Sequence, residues 1–151
     1  MERDIKFRGR TRRGQWVVGN LIKVKGRRET FIGESFTPTA SQAHIVEPGT
    51  IGQYTGLKDK NGTEIYEGDI LRSDSYPFSD NEVKDNYYAV VDWSYDSASF
   101  YMTTIKNPRS SVRGASAGNC ELMDVEEMEA FEVIGNIHDN QELFRCDRYA
   151  N

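Results

Sequence analysis

Three carboxylates around one tight turn, Glu64, Glu67 and Asp69, are the residues best placed in this sequence to do chemistry. Paired carboxylates run acid–base catalysis when their surroundings separate their proton affinities, and converging carboxylate oxygens hold a hard divalent cation. Asp69, however, directly follows Gly68, where an aspartate shapes a turn by accepting backbone N–H bonds. The structural role is therefore the expectation for this cluster. Gly52-Gln53-Tyr54-Thr55-Gly56 has the glycines of a phosphate-cradling loop but lacks the Gly-Lys-Ser/Thr ending and a following helix. There is no Gly-x-Ser-x-Gly elbow, no His-Glu-x-x-His and no Cys-x-x-Cys. With no nucleophile–base pair at a known spacing, the expectation is a protein that is not an enzyme and has no catalytic residues.

Metal and redox chemistry find as little. Cys120 and Cys146 stand 26 positions apart with no second pair to complete a zinc site, and are expected to be free thiols. His44 and His138 have no ligand partner at metal spacing and are expected to make ordinary hydrogen bonds. No metal and no cofactor is expected.

The basic N-terminus is the strongest functional hint. Arg3, Lys6, Arg8, Arg10, Arg12 and Arg13 lie beside Phe7 and Trp16, a mixture that supplies phosphate contacts and base stacking. The candidate nucleic-acid-binding residues are Lys6, Arg8, Arg10, Arg12 and Arg13. Strand alternation sets Lys6 and Arg8 opposite Ile5 and Phe7, and puts Trp16 with Val18 and Ile22. Phe7 and Trp16 are thus expected in the core, with the basic side chains as a solvated stripe.

A length of 151 residues makes one domain's worth of chain. Hydrophobic residues are only 37%, but 17 are aromatic, which concentrates apolar area in few side chains and suits a small β-core with long polar loops. No run is long enough for a membrane span, Met-Glu-Arg-Asp is no signal peptide, and a cytoplasmic location is expected. Charge is lopsided. Residues 1–30 hold ten Lys/Arg against three Asp/Glu, net +7, and the other 121 hold nine against 21, net −12. Such asymmetry marks a face for nucleic acid or a surface that pairs with the opposite pole of another copy.

Short strands are expected at Asp4–Arg8, Trp16–Val24, Thr30–Gly33 and Ala43–Val46. Lys58-Asp59-Lys60-Asn61-Gly62 is a turn, and Gly68 lets the chain swing into a strand at Asp69-Ile70-Leu71. Tyr87–Trp93 alternates most clearly and returns through Tyr95-Asp96-Ser97 into Ser99–Ile105, an antiparallel hairpin. Glu34–Gln42, Ser73–Asn86 and Asn107–Asn119 read as loops, and Glu121–Glu129 carries helix-like spacing on an acidic background. Ala130–His138 is a strand, in which Gly135 marks a bulge or a close backbone contact. Asp139 stands three before Glu142, the spacing of a capping box, and predicts a short helix over Asn140–Cys146.

Three blocks carry a resemblance. Asp4–Gly9 with Trp16–Gly19, then Thr50–Leu71, then Glu132-Val133-Ile134-Gly135-Asn136-Ile137 closely resemble, in the same order, the YopX-like family of small proteins found mostly in bacteriophages and prophages. Departures are few: Val18 and His138 stand where the family has Tyr, and Gln141 where it has Pro. The resemblance implies a mainly β fold, an SH3-like β-barrel with an N-terminal β-meander and a short C-terminal helix, and brings no biochemical activity with it. On that expectation 1–151 is one domain: an N-terminal β-rich part at 1–48, a barrel core at 49–138 and a helix and tail at 139–151. The function expected is a non-catalytic, self-associating phage or prophage accessory protein, a homo-oligomer. The alternative is a nucleic-acid-binding protein using the basic stripe.

Overall fold

A computed structural model of the chain describes residues 2–34, 42–74, 87–105 and 120–144. It is mainly β, as the series of short alternating segments predicts, and divides into two compact units, 1–56 and 57–151.

In the first unit, β1 (Phe7–Arg10), β2 (Trp16–Lys23), β3 (Thr30–Gly33), β4 (Ala43–Val46) and β5 (Gly52–Lys58) form an antiparallel sheet in the order β4-β3-β2-β1-β5. The β1–β2 hairpin closes at Thr11–Gln15, where the Thr11 N–H donates to Gln15 O at 2.8 Å and Gly14 takes φ 84°. β1 starts three residues later than alternation suggested, so Ile5 lies outside it and is 55% exposed. Gly9 faces Ile32 and Val46, which with Phe31 and Tyr54 are the buried hydrophobic residues of this unit among those described. A 3-10 turn at Pro48–Thr50 precedes β5, and Thr50 Oγ1 ties it to β1 by accepting from the Arg10 N–H at 2.9 Å.

The second unit begins on the last residues of β5, turns at Asp59–Thr63 and returns as β6 (Glu64–Tyr66). It then lays down β7 (Asp69–Ser73), β8 (Tyr87–Ser94), β9 (Ser99–Thr104), β10 (Cys120–Leu122) and β11 (Glu132–Asn136), in the antiparallel order β10-β9-β8-β7-β11. Alternate residues of the central strands feed two cores. Leu71, Ala89, Val91 and Met102 meet Ile65, Tyr87, Met128 and Phe131, while Ile70 and Val90 meet Ile105, Tyr88, Ile134 and Ile137. Adjacent residues Ile70 and Leu71 of β7, and Val90 and Val91 of β8, are therefore buried on opposite faces of the same strands.

Both sheets are open in strand order, and no closed barrel is formed among the described residues. The ambiguous stretch Glu121–Glu129 resolves into the end of β10 and a one-turn helix, α1 (Val125–Met128), which Asp124 caps by accepting from the Glu127 N–H at 2.8 Å. The expected strand at Ala130–His138 is the shorter β11, and its bulge falls between Val133 and Gly135. The expected C-terminal helix is described at Gln141–Phe144, α2. Asp139 accepts from Asn136 Nδ2 at 3.1 Å, so its carboxylate braces the end of β11. The expected loops at Glu34–Gln42, Ser73–Asn86 and Asn107–Asn119 fall mostly outside the described residues, as do Cys146 and the tail; the Cys120 side chain is likewise not described.

Candidate functional site

The hairpin of β1 and β2 carries all but one of the five basic candidates. Its register pairs Arg8 with Val18 and Arg10 with Trp16, so these four side chains share one face of the sheet. The Arg8 guanidinium lies 5.0 Å, and that of Arg10 6.0 Å, from the centre of the Trp16 ring. Each such cation–π contact contributes about 0.5–1 kcal/mol at an exposed site. Trp16, expected in the core, is therefore half-buried beneath two arginines, beside a Val18 that is 51% exposed. The parity was right, but the face it defines is the outer one, because Gly9 and Val17 take the inner positions.

The candidates divide by how engaged they are. Lys6 precedes β1 and holds Asp4 at 3.0 Å, with its ammonium 4.7 Å from the centre of the Tyr54 ring. Arg10 Nε is 3.6 Å from Glu47 Oε2. Arg12 and Arg13 sit on the exposed turn and make no ion pair among the described residues. The structure thus brings Arg8 and Arg10 together over one ring, sets Lys6 on another, and leaves Arg12 and Arg13 as the accessible charges of the stripe.

Those two arginines border a surface depression of about 470 Å³, lined also by Thr11 and Gln15 of the turn and by Glu29, His44 and Ile45. Neither Glu29 nor Ile45 carried a signal in sequence, because only strand pairing carries them to this turn. Ile45 is 47% exposed there on β4, an edge strand in the sheet order.

The carboxylate cluster has structural work to do. Asp69 is buried and its Oδ2 accepts from the Tyr66 N–H at 2.8 Å, as its place after Gly68 implied. Glu64 Oε2 accepts from the Tyr66 hydroxyl at 2.8 Å. Glu67 is half-buried at the turn between them. The more consequential carboxylate is one the sequence reading passed over, Asp59. Its Oδ1 accepts from the N–H groups of Asn61 at 2.8 Å and Thr63 at 2.9 Å, and its Oδ2 accepts from Val133 at 2.8 Å. The signal was present in Asp59-Lys60-Asn61-Gly62, since an aspartate opening such a turn satisfies the amides that follow it. Among the described residues no three His, Cys, Asp or Glu side chains converge as a metal ion would require, and no helix is long and apolar enough to cross a membrane.

The sequence profile described as YopX protein matches residues 6–145. No curated protein matches the chain. Among solved structures the chain is similar to protein EF1440 from Enterococcus faecalis, at 24% identity over 95% of this chain and 99% of that one, with a TM-score of 0.50. At that identity the likeness is one of fold.

Proposed function

The chain belongs to the YopX protein family, and from that premise we propose that it is a non-catalytic accessory protein of phage or prophage origin that works in the cytoplasm by binding and self-association. The observation that supports this reading is the division of charge between the two units. Residues 1–56 hold ten Lys/Arg against five Asp/Glu, net +5, and residues 57–151 hold nine against 19, net −10. Opposite poles on one chain attract the complementary poles of neighbouring copies and repel like ones, which favours head-to-tail contact. Head-to-tail contacts close into rings when the rotation between copies permits. On the same reading the open five-stranded sheet of the second unit is a relative of the SH3-like barrel. Glu64, Asp59 and Asp69 act as hydrogen-bond acceptors for the protein itself. Sedimentation equilibrium over a wide concentration range tests the proposal. A mass rising from 17.2 kDa to a defined multiple is expected, and a single monomeric mass throughout would overturn it.

A second reading is favoured by the Arg8–Trp16–Arg10 stack together with Arg12 and Arg13 on the adjoining turn. Guanidinium planes held over an aromatic ring are preorganised to stack on bases, and the accessible pair would meet phosphates. Binding to single-stranded DNA or RNA would then weaken steeply with salt, with a log–log slope of about −0.7 for each phosphate neutralised. Replacing Arg8, Arg10, Arg12 and Arg13 together by Ser should abolish it. Binding that ignores salt, or that survives the fourfold change, would contradict this reading.

A further inference from the structure

The turn between β8 and β9 presents an aromatic side chain to water. Tyr95 is 91% exposed, the most exposed large hydrophobic side chain described, and Asp96 beside it is also exposed. The turn is braced from within: the Ser97 N–H donates to Ser94 Oγ at 3.3 Å, and the Ser97 and Ser99 hydroxyls lie 2.8 Å apart. Beneath it the Trp93 and Phe100 rings meet edge to face at 4.9 Å. A turn braced in this way has less freedom to lose when its tip is captured, and tyrosine is among the residues that most often carry binding energy.

The first unit offers the complementary charge. The depression beside the β1–β2 turn has about 470 Å³, within the roughly 300–1,000 Å³ of sites that enclose a small ligand. Ile45 supplies an apolar wall, Thr11 and Gln15 supply polar partners, and Arg12 and Arg13 supply two guanidiniums without an ion pair among the described residues, against one carboxylate, Glu29, so the lining is net basic. A phenol ring stacks on a guanidinium, and an adjacent carboxylate pairs with a second one.

We propose that Tyr95 and Asp96 of one copy seat in the Arg12–Arg13–Ile45 depression of the next copy. This contact rests on the self-association reading and gives it an address. It joins the acidic unit of one chain to the basic unit of another, so each copy donates one tip and receives one.

The test is charge reversal in the full chain, with mass read by light scattering at one low ionic strength and folding checked by circular dichroism. Asp96→Arg alone, and the double change Arg12→Asp with Arg13→Asp alone, should each give monomer, because tip and depression then carry like charge. An equimolar mixture of the two variants should associate again, with the two variants alternating, since both contacts between unlike copies are complementary. Tyr95→Ala, which leaves charge untouched, should weaken association at least about tenfold. Wild-type association that persists in every variant would overturn this seat and leave self-association standing. Monomeric variants that stay monomeric on mixing would also overturn it. A monomeric wild type would overturn both.

Discussion

Asp59 shows how a charged side chain can be indispensable without being reactive. One buried carboxylate receives three backbone N–H groups, two from its own turn and one from Val133, 74 positions away. Truncation leaves those amides unsatisfied at a site with little access to water. Hydrogen bonds to an ionised group contribute about 1.5–3 kcal/mol each, and they overlap here, so Asp59→Ala should lower stability by about 2–4 kcal/mol in urea unfolding. Asp59→Asn, which keeps one acceptor oxygen, should lose less. A loss below 0.5 kcal/mol for the alanine change, about the size of an ordinary surface substitution, would mean that water replaces the carboxylate freely. At this scale the sequence was legible where a side chain acts on its immediate neighbours, as Asp69 does. It was opaque where the partner is distant: nothing near Asp59 announces Val133, and nothing near Arg12 announces Ile45.

Strands and turns were more legible than the sheets they build. Trp16, Thr30, Ala43, Asp69, Tyr87 and Ser99 each begin a strand where alternation placed one, and Gly68 makes the swing expected of it. At φ 87° its N–H donates to Val91 O at 2.8 Å and its O accepts from Ile137 at 2.9 Å, so the left-handed geometry is fixed from both sides. An L side chain in that conformation costs about 1–2 kcal/mol, so Gly68→Ala should lower the melting temperature by several degrees. An unchanged melting temperature would show that the turn relaxes. Phe131 offers a second check, because it is fully buried and meets the Tyr87 ring edge to face at 5.8 Å. Phe131→Ala should cost about 3–5 kcal/mol by opening a cavity between α1 and the sheet, and a far smaller loss would mean that the core collapses to fill it. Harder to read were the faces. Trp16 and Val18 have the parity of a buried stripe, but Gly9 and Val17 turn that stripe outward. α1 was visible only as helix-like spacing within Glu121–Glu129, too short a stretch to separate from its acidic surroundings.

For the whole molecule, the property on which the account rests is the uneven charge along the chain, net +5 over residues 1–56 and −10 over 57–151. The structure adds where that charge is accessible: Arg12 and Arg13 on one turn, and Asp96 beside Tyr95 on another. Charges on exposed turns are screened within about 10 Å at 0.1 M salt, so contacts that depend on them weaken as ionic strength rises. The most direct test is multi-angle light scattering on the purified protein at low and high salt. We expect a discrete multiple of 17.2 kDa at low salt that falls toward the monomer as salt is added. A mass of one chain at every ionic strength would contradict self-association through opposite poles.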